Sequence, residues 1–432
     1  MTDNNKHKIV IVGGGAAGLE LATSLGKALG KKGLAEVTLL DASSIHIWKP
    51  LLHEVAAGTL DEAEAIQYLA QAHRNGFRFR LGKMEGLNRQ QKEIYVSPTY
   101  SASGEELIPK RSFRYDTLVM AVGSVSNTFN IKGVNEHCLF LDTTDQAFKF
   151  QKQLVEAYIK THAGQIGSDK PLSIAIVGAG ATGVELSAEL HEVAHLLSVY
   201  GLEGANNVHL TIIEASPQLL PALPHRLATA TQQQLQKLDI NLKLGRRVVE
   251  VSKDAITTHD GEVIPADLKV WAAGIKAPDW MKSLDGLETN AINQLVVDAT
   301  LKTSDAAIFA IGDCAACAWV GHKGNIPPRA QAAHQQAATL HKTIVNRLKG
   351  LPPLVYTYKD YGSLVSLGQY TTVGNLMGNL MGTVTIGGFI ARVVYLSLYK
   401  MHQVAIHGYF RTLMLTLSNL FKRTAYIKIK MH

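Results

Sequence analysis

Cysteine is scarce, with three residues in 432, at positions 138, 314 and 317. So few thiols cannot build a disulfide framework, and a reducing compartment is expected. Long apolar runs are missing too. None reaches the roughly 18 residues that a spanning helix needs, and the polar opening TDNNKHK leads into a strand at residue 8 without the apolar stretch of a secretory leader. The protein is expected to stay in the cytoplasm unless its tail attaches it to a bilayer. Acid is absent from one end: no Asp or Glu follows Asp360, whereas Arg392, Lys400, Arg411, Lys422, Arg423, Lys428 and Lys430 do. Those seven cations equal the net charge of +7, so the rest of the chain is balanced. A neutral body with a basic tail suits an acidic surface, membrane or nucleic acid. The 46% hydrophobic content excludes disorder, and the length predicts two to three folded domains.

What the chain does contain is a repeated unit. KIVIV at 8–12 reads as a buried strand, GGGAAG follows, and LELATSLGKAL has helical spacing. Gly13, Gly15 and Gly18 form G-x-G-x-x-G: a tight turn, a close approach to a pyrophosphate, and close helix–strand packing. The residues between them, Ala16 and Ala17, start the helix whose free N–H groups would meet the phosphates. A second strand, EVTLLD, ends at Asp41, placed to accept the hydroxyls of an adenosine ribose. The unit recurs as the strand SIAIV, then Gly178, Gly180, Thr182 and Gly183 in GAGATG, a helix carrying Glu185, and the strand VHLTIIE ending at Glu214. Two such turns imply two dinucleotides. Glu214 would repel a 2′-phosphate, and no Arg follows it in ASPQ, so the second nucleotide is expected to be NADH rather than NADPH.

The strand AIFAI closed by Gly312 and Asp313 resembles the second flavin motif of two-dinucleotide flavoproteins. YDTLVMAVGS, with Ala121 and Gly123, and ADLKVWAAGI, with Ala273 and Gly274, resemble the segments where the chain returns from each nucleotide unit. Together these resemble the glutathione-reductase-like superfamily. That resemblance implies an α/β protein with two Rossmann-like dinucleotide-binding domains: FAD on 1–145 and 290–355, NADH on 146–289, and a C-terminal amphipathic membrane-anchoring region over 356–432.

The electron acceptor is read from the remaining motifs. A disulfide reductase needs a flavin-side cysteine pair, and Cys314 and Cys317 are not placed as one. Near a helix N-terminus their thiols could be acidic. The pair is open to three readings: a Cu(I) pair, a redox pair, or buried small residues, the last favoured. PPRAQAAHQQ at 327–336 resembles the A-Q-A-A-x-Q signature of type II NADH:quinone oxidoreductases, as do GAGATGVELSAEL, KPLLHEVAAG and the basic amphipathic tail. The resemblance runs nearly end to end and implies a monotopic FAD enzyme that oxidises NADH and reduces ubiquinone or menaquinone without pumping protons, on the cytoplasmic face of the inner membrane, with a homodimer as a candidate assembly. It implies that Glu185 lies near the nicotinamide and that Gln331 lies at the flavin edge, its amide donating to a quinone oxygen. Ala330 and its neighbour Ala332 would let a planar ring approach, and His334 is a candidate proton relay. Lys49, Pro50 and Met84 would line the flavin. The alternatives are a sulfide:quinone oxidoreductase, which needs flavin-side cysteines, a soluble NADH-dependent flavoprotein reductase, which lacks the tail, and an NADH-responsive binding protein with a vestigial flavin.

Between 389 and 421, at 100° per residue, Arg392, Lys400, His407, Arg411 and Lys422 fall within about 120°. Val394, Leu398, Ala405, Tyr409, Leu413, Leu417 and Leu420 lie opposite. This predicts a helix, or two broken near Gly408, lying in a bilayer interface with cations toward anionic headgroups and Tyr395, Tyr399, Tyr409 and Phe410 at the interfacial level. The tail lacks a groove-reading motif and is too apolar for nucleic acid.

Overall fold

The computed structural model describes residues 6–60, 65–101, 103–162, 171–199, 208–367, 371–378 and 382–425. Two five-stranded parallel sheets carry the body. The first orders its strands Ile308–Ala310, Thr117–Met120, His7–Val12, Ala35–Asp41 and Arg78–Leu81. The second orders Leu139–Phe140, Leu268–Trp271, Leu172–Val177, Val208–Glu214 and Asn241–Leu244. Ile9, Ile11, Leu39 and Leu118 in the first, and Ile174, Ile176 and Ile212 in the second, are buried on both faces, as near-continuous apolar strands of a parallel sheet should be. The first sheet draws its outermost strand from residues beyond 300, so the chain leaves this unit and returns to it. An antiparallel pair, Val125–Ser126 with Ile275–Lys276, joins the two units where their return segments meet.

The central strand of each sheet runs into its glycine turn with the same geometry. Gly13 N donates to Leu40 O at 2.8 Å, and Gly178 N donates to Ile213 O at 2.8 Å. Gly13 and Gly178 have φ of +100° and +106°, a region open chiefly to glycine. A Cβ on Gly18 would lie 1.8 Å from Gly13 O, and one on Gly183 would lie 2.0 Å from Gly178 O. A Cβ on Gly15 or Gly180 would meet nothing within 4 Å. Two glycines of each turn are thus required by the fold, while the middle one faces open space at a helix N-terminus, where an incoming group needs room.

Helix Ala330–Leu348 packs on helix Ala16–Leu25, beside the first turn. A three-stranded antiparallel sheet, Gly362–Leu367, Thr371–Gly378 and Gly382–Gly387, follows and leads into helices Gly388–His407 and Tyr409–Ala425.

The glycine geometry separates two substitutions. Gly18→Ala forces a methyl into the Gly13 carbonyl and should cost about 1–3 kcal/mol, seen as a lower thermal midpoint. Gly15→Ala, on an ordinary extended backbone with free space, should melt like the unaltered protein. Equal melting of both variants would show that close helix–strand contact is not what Gly18 provides.

Candidate active site

At each turn the acid ending the next strand closes back on the glycines. Asp41 Oδ2 accepts from Gly14 N at 2.5 Å and Oδ1 from Ser43 N at 2.8 Å. Glu214 Oε2 accepts from Ala179 N at 2.7 Å and Oε1 from Ser216 N at 2.8 Å. Burial raises the Asp41 carboxyl, and the two backbone N–H groups oppose that. Gly15 and Thr182 are exposed and Gly180 half-buried at the helix starts, whereas Ala17 and Ala121 are buried behind the first turn. Tyr68, remote in sequence, donates to Gly14 O at 2.8 Å and fixes the turn from the other side.

The predicted flavin-side segments converge through Ser124. Lys49 Nζ donates to Ser124 O at 2.7 Å, and Ser124 Oγ donates to Asp313 Oδ2 at 2.8 Å. Gly312, at φ +73°, donates its N–H to Gln336 Oε1 at 2.6 Å, and Gln294 Nε2 donates to Asp313 O at 2.8 Å. Gly123 (φ +72°) and Gly274 (φ +64°) each make the left-handed bend that ends a return strand, the first with no neighbour within 4 Å of a would-be Cβ. Pro50 starts the short turn Lys49–Leu51 beside this cluster, and Met84 lies buried in the strand Met84–Asn88. Ser124, Gln294 and Gln336 went unnoticed in the sequence, because their role is to hold other groups.

Glu185 is buried at 5% exposure in helix Ala181–Val199, not displayed at a helix end. It accepts from Ser366 N at 3.0 Å, and its Oε2 lies 3.7 Å from His53 Nδ1. Burial pushes the carboxyl up to about 8, with Glu54 and Glu189 adding repulsion. Burial pushes His53 down to about 4. Both are neutral at pH 7, so the contact is not an ion pair.

Gln331, in the first turn of helix Ala330–Leu348, gives both amide hydrogens to the chain: Nε2 lies 3.2 Å from Asp360 Oδ1 and 2.9 Å from Gly362 O, while Oε1 accepts from Tyr361 N at 3.0 Å. Arg329 Nη1 reaches both Asp360 oxygens at 3.1 Å. The last acid of the sequence is thus the clasp that holds the 360–362 segment over the start of this helix. Donation from Gln331 to an acceptor requires one of its two hydrogen bonds to open.

His334, three residues on, bonds Glu20 Oε2 through Nδ1 at 2.6 Å. Glu20 Oε1 meets His402 Nδ1 at 2.7 Å, and His402 Nε2 meets His46 Nε2 at 2.9 Å. Only His334 was singled out from sequence. The available signal was Glu20 itself, a carboxylate inside the apolar run LELATSL.

The expectation of acidic thiols is corrected. Cys314 and Cys317 are buried, burial pushes them up to about 12 and about 11, and both face backbone carbonyls, Cys314 Sγ at 3.3 Å from Ile311 O. Among the described residues no group of three or more His, Cys, Asp or Glu could hold a metal ion.

The single polar stripe of the tail is corrected as well. Of the two readings of the tail, two helices broken near Gly408 is the one observed: Gly408 (φ +82°) separates them, so the stripe drawn as one face does not continue across it. The first helix buries His402, Gln403 and Ile406 against the body, and His407 is half-buried at Gln71. The second exposes Tyr409 (85%), Phe410 (73%), Leu413, Met414 and Leu417 together with Arg411. Lys428 and Lys430 lie outside the described residues, as do the side chains of Arg392, Val394, Tyr395, Leu420, Lys422 and Arg423. No helix among the described residues is long and apolar enough to cross a membrane.

The model of the pyridine nucleotide-disulphide oxidoreductase family matches residues 7–337. A type II NADH:quinone oxidoreductase of Haemophilus influenzae is 42% identical over 98% of this chain and 99% of its own length. One of Staphylococcus aureus is 30% identical over 87% and 90%. The structure of NDH2 from Plasmodium falciparum in complex with NADH superposes with a TM-score of 0.80 at 21% identity, covering 99% of this chain and 100% of that one, which establishes the shared fold.

The raised Glu185 carboxyl has a thermodynamic consequence. The folded protein keeps this proton up to about pH 8, whereas the unfolded chain releases it near the ordinary 4.5. The native state therefore binds more protons across that window, and stability falls as pH rises through it. Glu185→Gln should flatten that decline and raise the thermal midpoint at neutral pH. A midpoint–pH curve parallel to that of the unaltered protein would place the Glu185 proton elsewhere.

Proposed function

The chain belongs to the type II NADH:quinone oxidoreductases, and we propose how its own residues divide the work of oxidising NADH and reducing quinone. It is an FAD enzyme with NADH as substrate, and the bound FAD supplies a two-electron carrier between donor and acceptor. The unfilled space at Gly15, with Gly13 and Gly18 closed on either side, supports the first turn as the FAD pyrophosphate cradle. Ala16, Ala17 and Asp41 complete it. Lys49, Pro50, Met84, Ala121, Gly123, Gly312, Asp313 and Ala330 belong to the rest of that site, on residues 1–145 and 290–355. The same open space at Gly180, with Gly178, Thr182, Gly183, Glu214, Ala273 and Gly274, supports NADH on residues 146–289.

Glu185 acts as a neutral carboxylic acid beside the nicotinamide. In that form it orients a carboxamide without opposing the positive charge that appears when the ring is oxidised. Gln331, Ala330 and His334 form the quinone side, where the 360–362 clasp holds the Gln331 amide until an acceptor oxygen competes for it. A cationic, apolar foot rests on an anionic lipid surface at the cytoplasmic face of the inner membrane, over residues 356–432. The partners in this reading are a quinone (ubiquinone or menaquinone), that lipid surface, and a second copy of the chain. The observation that carries it is the pair of matching glycine turns in one chain, each closed by an acid with no Arg in the residues just after it in sequence.

The purified yellow holoenzyme should bleach with NADH and regain its colour with a soluble quinone, and NADPH should be at least tenfold slower at equal concentration. Equal rates with NADPH would remove the role given to Glu214. Ending the chain after Gly408 removes the helix that exposes Tyr409, Phe410, Leu413 and Leu417 but leaves the packed helix before it. This truncation should leave the protein folded and no longer sedimenting with anionic vesicles. Undiminished sedimentation would place the lipid contact elsewhere.

A further inference from the structure

Two glutamines one helical turn apart grip the segment that leaves the body for the last sheet, and they grip it differently. Gln335 pairs with both backbone groups of Lys359: Nε2 donates to Lys359 O at 2.8 Å and Oε1 accepts from Lys359 N at 2.9 Å. Its second amide hydrogen has no partner among the described residues. Gln331 holds the backbone in a similar way, accepting from Tyr361 N at 3.0 Å and donating to Gly362 O at 2.9 Å, but its second hydrogen goes to Asp360 Oδ1 at 3.2 Å. Asp360 is itself held there by Arg329 Nη1, 3.1 Å from each carboxylate oxygen, and by Gly362 N at 2.8 Å. The side chains of Arg329 and Asp360 are only 27% and 14% exposed.

This grip sits against the flavin-side segments. A Cβ on Gly312 would lie 3.7 Å from Ala17 Cβ and 3.9 Å from Ala333 Cβ, so the helices Ala16–Leu25 and Ala330–Leu348 close on Gly312 from two sides. Gly312 N also donates to Gln336 Oε1 at 2.6 Å. Four residues beyond Gly362 the same segment reaches Glu185, through Ser366 N at 3.0 Å. The partners settle which end of the Gln331 amide is which. An ion-paired carboxylate and a backbone carbonyl only accept, and a backbone N–H only donates, so the nitrogen faces Asp360 and Gly362 and the oxygen faces Tyr361. A primary amide has two hydrogens to give and two lone pairs that accept. Both hydrogens and one lone pair are taken, so the second lone pair of Oε1 is what the resting amide has left.

We propose that Asp360, anchored by Arg329, is a specificity-determining positioning residue of the quinone site: by taking the second Gln331 hydrogen it leaves the resting amide an acceptor, which favours quinol over quinone. This deepens the NADH:quinone reading and rests on it. A quinone presents carbonyl oxygens, which only accept, so it gains a hydrogen from Gln331 only by displacing Asp360 or Gly362. A quinol presents O–H groups, and one of them can donate to the remaining lone pair with the grip intact. The oxidised enzyme at rest therefore holds its product more readily than its substrate. Fastening the segment to the helix needs no carboxylate, since Gln335 does so through the backbone alone. What the carboxylate adds at Gln331 is the direction of the hydrogen bond offered to a ligand.

The test uses full-length, flavin-loaded, oxidised protein without oxygen, a short-chain soluble quinone and the quinol of the same compound, with binding read from quenching of the flavin fluorescence. The unaltered protein should bind the quinol more tightly than the quinone by about threefold or more, the scale of one net hydrogen bond. Asp360→Ala frees an amide hydrogen, so quinone binding should tighten by about threefold or more while quinol binding does not tighten. Asp360→Asn, which keeps an acceptor oxygen in the same place, should hold the preference within about twofold of the unaltered protein. With Gln331→Leu already in place, Asp360→Ala should no longer change the preference. A loosened pocket weakens both ligands together, so their ratio separates positioning from a structural role. Quinone bound as tightly as quinol, or more tightly, by the unaltered protein overturns the proposal and needs no variant to fold. An unmoved ratio in Asp360→Ala, an equal shift in Asp360→Asn, or the same shift without Gln331 overturns it too. Unaltered protein that bleaches with NADH but passes nothing to quinone overturns the NADH:quinone reading, and this inference with it. Normal turnover with an unmoved ratio overturns the role of Asp360 alone.

Discussion

A helix can aim its N-terminus at a diphosphate only if it starts hard against the strand before it. The rest of this protein is arranged around two places where that happens. At both, a carbonyl of the first glycine occupies the space a Cβ of the last would need, within 2.0 Å. The turn is therefore set by the absence of side chains. Everything that positions chemistry is anchored to it: Asp41 and Glu214 close on its N–H groups, and Tyr68 and His46 brace its carbonyl. Helix Ala330–Leu348 leans on the helix it launches.

Buried carboxyls meet three different fates, each decided by the donors within reach. Asp41 accepts two backbone N–H groups, which soften the cost of burial without cancelling it. Glu185 has one backbone donor and two nearby acids, so it keeps its proton. Glu20 has a histidine on each oxygen and gives its proton up. Desolvation is the leading influence in all three, and the number and charge of the donors set the outcome. The same carboxyl group is thus held raised at Asp41 and Glu185 and lowered at Glu20 within one chain.

The parallel sheets, the two turns and their terminal acids were legible because they are local: a strand, three glycines, a helix and an acid lie within 34 residues (8–41) in the first unit and 42 (173–214) in the second. The discontinuous first unit was legible only through its Gly312-Asp313 motif. What was not legible is what long-range contact decides. Gln331 was recognised by its motif, but nothing in PPRAQAAHQQ says that Asp360 and Gly362 occupy its amide. Glu20 meets partners more than 300 residues away. The Cys-x-x-Cys spacing left Cu(I), redox and buried-residue readings open with the last favoured, and only the fold shows both thiols buried and raised by that burial.

A break near Gly408 was one of the two readings of the tail, and periodicity fails only where one face was drawn across it. Projecting 389–421 on a single helix put His407 and Arg411 on one exposed stripe. A positive φ at Gly408 instead turns the chain between them, and the two helices take different tasks. The first is held to the body by a buried hydrogen bond and an aromatic stack, His402 with Glu20 and Tyr399 with Trp48. The second keeps Tyr409, Phe410, Leu413, Met414, Leu415 and Leu417 outward. A single hydrogen bond adds only about 0.5–1.5 kcal/mol of net stability, so what it gives this joint is position: it sets where the first helix sits on the body, and so where the second helix begins.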